Sequence, residues 1–205
     1  MAKKRAGDTR ARILQAAADL LRASGPDALT FDAVAARVAV SKQAVIYWFP
    51  TKADLMSELA LPALRAEVAA VERALDGAGS GADAAGRVVR ALIGFHLADL
   101  PRFRLMYLSV QLGSSSVSRR TASEIVGQVH PITDRMYGAI AAVFGEDAEA
   151  RRTAVALHMA ALGHVLLHAL ADAVGDPLRH GPDALADRLA TMLAAGVEAP
   201  PRGND

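Results

Sequence analysis

The chain contains no cysteine. That excludes disulfide staples and thiolate metal centres and leaves the fold to be held by packing alone. Aromatic residues are scarce as well, at 4% of 205 positions, although hydrophobic residues reach 52%. The apolar weight therefore falls on Ala, Leu and Val, which favours helices, and a chain of this length can bury a substantial core. Strand-type alternation appears nowhere, and no internal repeat recurs. No signal-peptide pattern is present, which with the missing cysteine fits a cytoplasmic protein. Catalytic signatures are also lacking. There is no nucleophile motif, phosphate loop or recognisable pair of carboxylates, so neither an enzyme nor a cofactor is expected. The most apolar run, Ala154 to Ala171, is interrupted by His158, His164 and His168. Three imidazoles in one span are costly in lipid, and no membrane partner is expected.

Net charge is only +1, but it is unevenly placed. Residues 1–52 hold nine Lys/Arg against four Asp, or +5, and residues 53–205 hold fourteen against eighteen, or −4. A basic N-terminal segment suits phosphate binding.

That segment also holds the most informative stretch, Thr30 to Lys52. Thr30 is an N-cap candidate, with Val34 and Val38 four apart on one face. Ser41 is a second N-cap candidate only eleven residues on, so the first helix must stop by about Ala39. The second runs from Lys42 to about Phe49, because Pro50 disfavours helix at the residue before it. Thr51 can cap a third at once. Two helices this short cannot stand alone in water. One props the other, which offers Lys42, Gln43, Ala44, Tyr47 and Trp48 outward: a helix-turn-helix over 30–49, with double-stranded DNA as the expected partner. In such a helix Gln43 suits an adenine edge, Lys42 a guanine or phosphate, and Tyr47 a phosphate oxygen.

These residues resemble the TetR/AcrR transcriptional regulators. The family pattern is Ile-Ala-x-x-Ala-Gly-Val-Ser-Lys-Gly-Thr-Leu-Tyr-x-x-Phe-x-x-Lys. The chain supplies Val34-Ala35, then Val38-Ala39-Val40-Ser41-Lys42-Gln43-Ala44-Val45-Ile46-Tyr47-Trp48-Phe49, then Lys52. The match covers about residues 8–56. Ala39 stands where the family has glycine, so the turn must either avoid positive φ or bear strain. Gln43-Ala44 replaces Gly-Thr, and Ile46 replaces a tyrosine that touches phosphate in the family. The resemblance implies an all-α protein. A three-helix DNA-binding domain at 8–66 would be followed by a larger helical effector-binding and dimerisation domain at 67–198. It implies a homodimeric regulator, most often a repressor, on a near-palindromic operator. Thr30, Ser41, Lys42, Gln43, Ala44, Tyr47, Trp48 and Lys52 are the expected DNA-binding residues.

Along the rest of the chain, Met1 to Gly7 reads as an arm without apolar periodicity, and Thr9 to Ser24 as a helix ended by Gly25-Pro26. A long helix runs from Thr51 toward Leu75, with Pro62 expected to kink or break it. Gly77 to Gly81 is a loop, followed by a helix over Asp83–Leu100 and another from Pro101 through Leu112. Gly113 to Ser116 is a further loop, and Ser118–Phe144 a helix bent at Pro131. The helix from Asp147 to Val174 carries two apolar rows. Val155, Met159, Leu162, Leu166 and Ala169 form one; Leu157, Ala161, His164 and His168 form the other. Such a helix must bury both faces. With the last helix, Asp183 to Val197, one face suits the same helices of a second subunit, in a four-helix interface.

In TetR-like proteins a small molecule binds among the central helices of the C-terminal domain. The corresponding helices here bring Phe95, His96, Phe103, Met106, Tyr107, His130, Tyr137, His158 and Met159, an apolar wall with few polar groups. His164 and His168, four apart, can meet one ion. However, no glutamate lies between them in the metalloprotease arrangement, and His158 points about 120° away from His164. No metal site is expected.

Overall fold

The computed structural model describes residues 2–25, 28–108, 119–176 and 181–198. Among these residues every regular element is helical: α1 (Ala2–Ser24), α2 (Phe31–Val38), α3 (Lys42–Trp48), α4 (Lys52–Leu75), α5 (Gly81–Leu97), α6 (Leu100–Phe103), α7 (Arg119–Ala141), α8 (Ala148–Val174) and α9 (Pro182–Glu198). The chain forms two compact units, Met1–Leu64 with Pro101–His130, and Arg65–Leu100 with Pro131–Asp205.

The first unit is organised around a core drawn from each of its N-terminal helices. Ile13, Ala16 and Ala17 of α1 meet Val34, Ala35 and Val38 of α2, together with Val45, Phe49, Leu55 and Met56. Helices as short as α2 and α3 owe their stability to this packing rather than to propensity. Two arginines of α1 reinforce it. Arg12 donates to the carbonyl oxygen of Val38 at 2.7 Å, which satisfies a C-terminal carbonyl of α2. Arg10 lies 5.2 Å from the ring centre of Phe49 and pairs with Glu58 at 2.8 Å.

In the second unit α5 packs against both α8 and α9. Ser80 caps α5 by accepting from the Asp83 amide, and Val88, Val89, Leu92, Ile93 and His96 are buried along it. The facing row of α8 is mostly small (Ala150, Ala154, Leu157, Ala161, Val165 and Ala169), which allows close approach. Asp147 caps α8 at its start, and Gly175, with φ 63°, ends it in the left-handed region that glycine adopts without steric penalty.

Several expectations are corrected. Residues from Ala2 belong to α1 rather than to an irregular arm. Pro62 does not break α4, which continues past it to Leu75, and Pro131 lies inside α7. Helix α5 ends at Leu97 and α6 begins at Leu100; α6 continues not as α-helix but as a π turn over Arg104–Leu108. Leu112 and the loop at Gly113–Ser116 lie outside the described residues, as do 177–180 and the tail from 199. On α8, Ala169 leaves the row assigned to it and joins the buried face at 4% exposure. A straight helix drifts about 20° per heptad, and over the two heptads from Val155 this swings Ala169 inward.

Candidate nucleic-acid interface and a buried polar network

The helix-turn-helix is built from caps. Thr30 is extended, at φ −120°, and its Oγ1 accepts from the Ala33 amide at 3.1 Å. Ser41 is likewise extended and its Oγ accepts from the Ala44 amide at 3.2 Å. Each hydroxyl still has its proton to donate. Between them Ala39 sits at φ 58°, ψ 50°, left-handed, with its amide turned back onto α2 and the Val40 amide bonded to the Ala35 carbonyl. The turn thus keeps the geometry for which the family pattern has glycine, and alanine bears the strain. A third cap follows. The Thr51 amide and hydroxyl both donate to Asp54 Oδ2, at 2.8 and 2.7 Å, and the Asp54 amide donates back to Thr51 Oγ1 at 3.1 Å. This reciprocal box starts α4 with the exposed Lys52 in its first turn.

On α3, Val45 is fully buried and Phe49, just past the helix, is 1% exposed. The opposite face presents Lys42, Gln43, Ile46 and Tyr47 to solvent, with Tyr47 at 78% exposure. Trp48 is half-buried and meets the Tyr47 ring edge-on at 5.3 Å, while Ala44 is half-buried. Lys42 pairs with Asp32 of α2 at 2.8 Å, both exposed. Among the expected DNA-binding residues, Lys42, Gln43 and Tyr47 share the exposed face, Thr30 and Ser41 stand at the helix starts, and Trp48 props Tyr47. The sequence reading did not assign three features: the Asp32 counter-charge, the arginine braces from α1, and the exposed apolar Ile46.

The expected ligand residues divide. In the first unit Phe103 and Met106 are buried, Tyr107 is half-buried with its ring 5.5 Å from that of Phe103, and His130 is exposed. In the second unit Met159 is 67% exposed, whereas His96, His158 and Tyr137 come together around a residue the sequence reading passed over. This is Glu67 of α4, 1% exposed. His96 Nε2 lies 2.9 Å and His158 Nε2 3.3 Å from Glu67 Oε1, and the Tyr137 hydroxyl lies 2.8 Å from His158 Nδ1. Phe95 stands edge-on to His96 at 5.1 Å. Burial pushes the Glu67 carboxyl upward, but the hydrogen bonds and charges of His158 and His96 outweigh it and hold the group at about 2. Burial and the same carboxylate push the Tyr137 phenol upward. A signal for Glu67 was present. Leu64, Val68 and Val71 form the apolar stripe of α4, and Glu67 stands inside it.

His164 and His168 are half-buried on α8, and burial followed by the charge of His168 holds His164 below its ordinary value. Among the described residues no three His, Asp or Glu side chains form a group able to hold a metal ion. By length and composition α8 is apolar enough to cross a membrane, a test that core helices of soluble proteins also pass.

Residues 13–59 match the model of bacterial regulatory proteins of the tetR family. No curated protein matches the chain by sequence. Among solved structures, a TetR/AcrR transcriptional regulator from Thermobifida fusca is 20% identical with TM-score 0.62, over 92% of this chain and 98% of that one. The multidrug binding protein EbrR, complexed with imidazole, is 21% identical with TM-score 0.59, over 96% and 98%. The regulator FadR from Bacillus subtilis, in complex with stearoyl-CoA, is 13% identical with TM-score 0.65, over 90% and 97%. At such identities the structural likeness speaks for the fold, and the match over 13–59 speaks for the motif. Residues 13–59 thus carry the helix-turn-helix motif of the tetR-family regulators, and the all-helical fold is the one those solved regulators share.

Proposed function

We propose that this chain is a non-enzymatic, cytoplasmic, sequence-specific repressor that binds a near-palindromic operator as a homodimer and leaves it when a small molecule binds its second unit. The observation that carries the reading is the solvent face of α3. Lys42, Gln43 and Tyr47 stand outward on a helix whose other side is locked into the core by Val45. Such a face enters a major groove, with phosphate contacts fixing register and base contacts specifying sequence. The +5 charge of residues 1–52 favours the encounter.

Homodimerisation is supported by α8 and α9. Met159, Leu167, Leu170 and Val174 of α8, with Leu185 and Met192 of α9, are large apolar side chains between 41% and 79% exposed. An apolar surface that extensive on two neighbouring helices wants a partner, and a second copy closes it in a four-helix interface with two-fold symmetry. Two recognition helices then read half-sites on the order of one DNA turn apart.

For the effector, Phe95, His96, Tyr137 and His158 with Glu67 offer an apolar and hydrogen-bonding environment. The complexes of EbrR with imidazole and of FadR with stearoyl-CoA lend support, since both proteins share the fold. Glu67 and Lys52 belong to one helix, α4. An effector that disturbs the partners of Glu67 therefore acts on the helix whose first turn carries a DNA-facing lysine. Gel-shift titration with the DNA upstream of the protein's own gene is the test. The expected result is a specific complex that weakens steeply with salt. No such complex at micromolar protein refutes the proposal.

A further inference from the structure

The exposed face of α3 contains one side chain of the wrong chemistry for water. Ile46 is 37% exposed, while Val45 beside it is fully buried and Phe49 is at 1%. Its neighbours on that face are all polar or amphipathic. Gln43 lies one turn before it, Lys42 four residues before it, and Tyr47 next to it. Lys42 is held by Asp32 at 2.8 Å, which draws its ammonium toward α2. What α3 then offers outward is an amide, a phenol and a branched aliphatic group. An aliphatic group gains nothing against a phosphate. In a major groove it has one apolar complement, the C5-methyl group of thymine.

We infer that Ile46 is a specificity-determining residue of the interface, reading a thymine methyl group beside the base pair addressed by Gln43. The spacing permits it. Residues three apart on a helix have Cβ atoms about 5–6 Å apart. Successive base pairs rise about 3.4 Å, so Gln43 and Ile46 reach pairs that are adjacent or one further on. A carboxamide suited to adenine and an aliphatic group suited to a thymine methyl both select A·T pairs. Each half-site therefore carries an A·T-rich step opposite α3, with the methyl group a required feature. The step rests on α3 being the DNA-reading helix, and the test separates the two.

The operator is first selected from a random-sequence duplex pool with the full chain. Each thymine of one half-site is then replaced in turn by deoxyuridine, which deletes the methyl group and leaves every hydrogen-bonding atom in place. Affinities are read by fluorescence anisotropy. A single replacement in one half-site should weaken binding about fourfold, the size of one buried methyl group, and the symmetric double replacement about sixteenfold. Ile46→Ala should bind the thymine and deoxyuridine operators alike, and Ile46→Val should keep most of the preference. Because Ile46 is partly solvent-exposed, the variants should fold, which far-UV circular dichroism checks. Equal affinity of the unaltered protein for every deoxyuridine operator overturns the inference while leaving DNA reading by α3 intact. So does a thymine preference that survives in Ile46→Ala. Failure of the pool to yield any operator overturns both.

Discussion

Ala39 is where the fold stores strain that one atom group explains. Among the described residues it is the only one other than glycine with positive φ, at 58° with ψ 50°. For an L-residue with a Cβ that conformation costs roughly 1–2 kcal/mol. Glycine removes the clash, but its greater freedom in the unfolded chain takes back about 0.5–1 kcal/mol. Ala39 is exposed, so its methyl group contributes no core packing. The capping bonds run from its amide and that of Val40 and do not need the side chain. Ala39→Gly should therefore stabilise the first unit by about 0.5–1 kcal/mol. Ala39→Val should destabilise it, because a branched Cβ suits the left-handed region worse than alanine does. Trp48, the single tryptophan, sits inside the same motif and gives a local fluorescence signal for urea titration. The expected result is a higher midpoint with an unchanged slope. A midpoint at or below that of the unaltered protein refutes the strain assignment and makes the turn's hydrogen bonds sufficient to tolerate alanine.

Three further outcomes are expected. The fold holds Glu67 at about 2 against an ordinary 4.5, a preference for the charged form corresponding to about 3 kcal/mol. That contribution is complete above pH 4.5 and lost as pH falls through 2, with about 2 kcal/mol already gone at pH 3. Denaturant titrations at pH 7 and pH 3 should show that extra loss in the unaltered protein and not in Glu67→Gln; equal acid sensitivity of the two refutes it. Tyr47→Phe should weaken operator binding about tenfold or more in anisotropy titrations, as loss of one hydrogen bond to a charged group does, whereas unchanged affinity removes the phosphate contact. Leu170→Asp, at a site 55% exposed in the single chain, should yield monomers in sedimentation equilibrium and lose tight operator binding; a persistent dimer moves the interface elsewhere.

The helix-turn-helix was legible because its boundaries are set by local chemistry. Thr30, Ser41 and Thr51 cap through their own side chains, and Pro50 closes α3, so a window of a few residues contains the cause. The dilemma posed by Ala39 was also legible, but only packing could decide it. With Val34, Val38 and Val45 fixed in one core, the chain has to reverse within two residues, and the left-handed turn wins. What escaped the sequence depends on partners far along the chain. Glu67 has its histidines 29 and 91 positions away. Read alone, it is an ordinary acid on a helix surface, unless its place in the Leu64–Val68–Val71 stripe is weighed. The π turn at Arg104–Leu108 likewise has no local breaker to announce it. On α8 only Leu157 and Ala161 of the row running to His168 are buried, because a near-seven-residue seam was imposed on a helix of 3.6 residues per turn.

The magnitudes also bound how the proposed switch works. Separating Glu67 from its imidazoles takes two hydrogen-bonding partners from a carboxylate that is 1% exposed. A buried charge stripped of its partner is destabilising by several kcal/mol. Half-broken arrangements of α4, α5 and α8 are therefore sparsely populated, and the network favours two discrete states over a continuous drift. Driving an equilibrium from 1:99 to 99:1 takes a difference in affinity of about 5.5 kcal/mol. The His96 and His158 bonds that hold the Glu67 carboxylate charged belong to the standing arrangement, so an effector that breaks them has to replace them before it gains anything toward that difference. An effector that merely exchanged hydrogen bonds with His96 and His158 would at most shift the population without completing the transition. The difference has to come from apolar contact, so a small polar ligand such as imidazole alone should displace the operator only partially. A larger ligand with an apolar body should displace it fully. Complete release by imidazole at saturation would show that the network carries the whole switch.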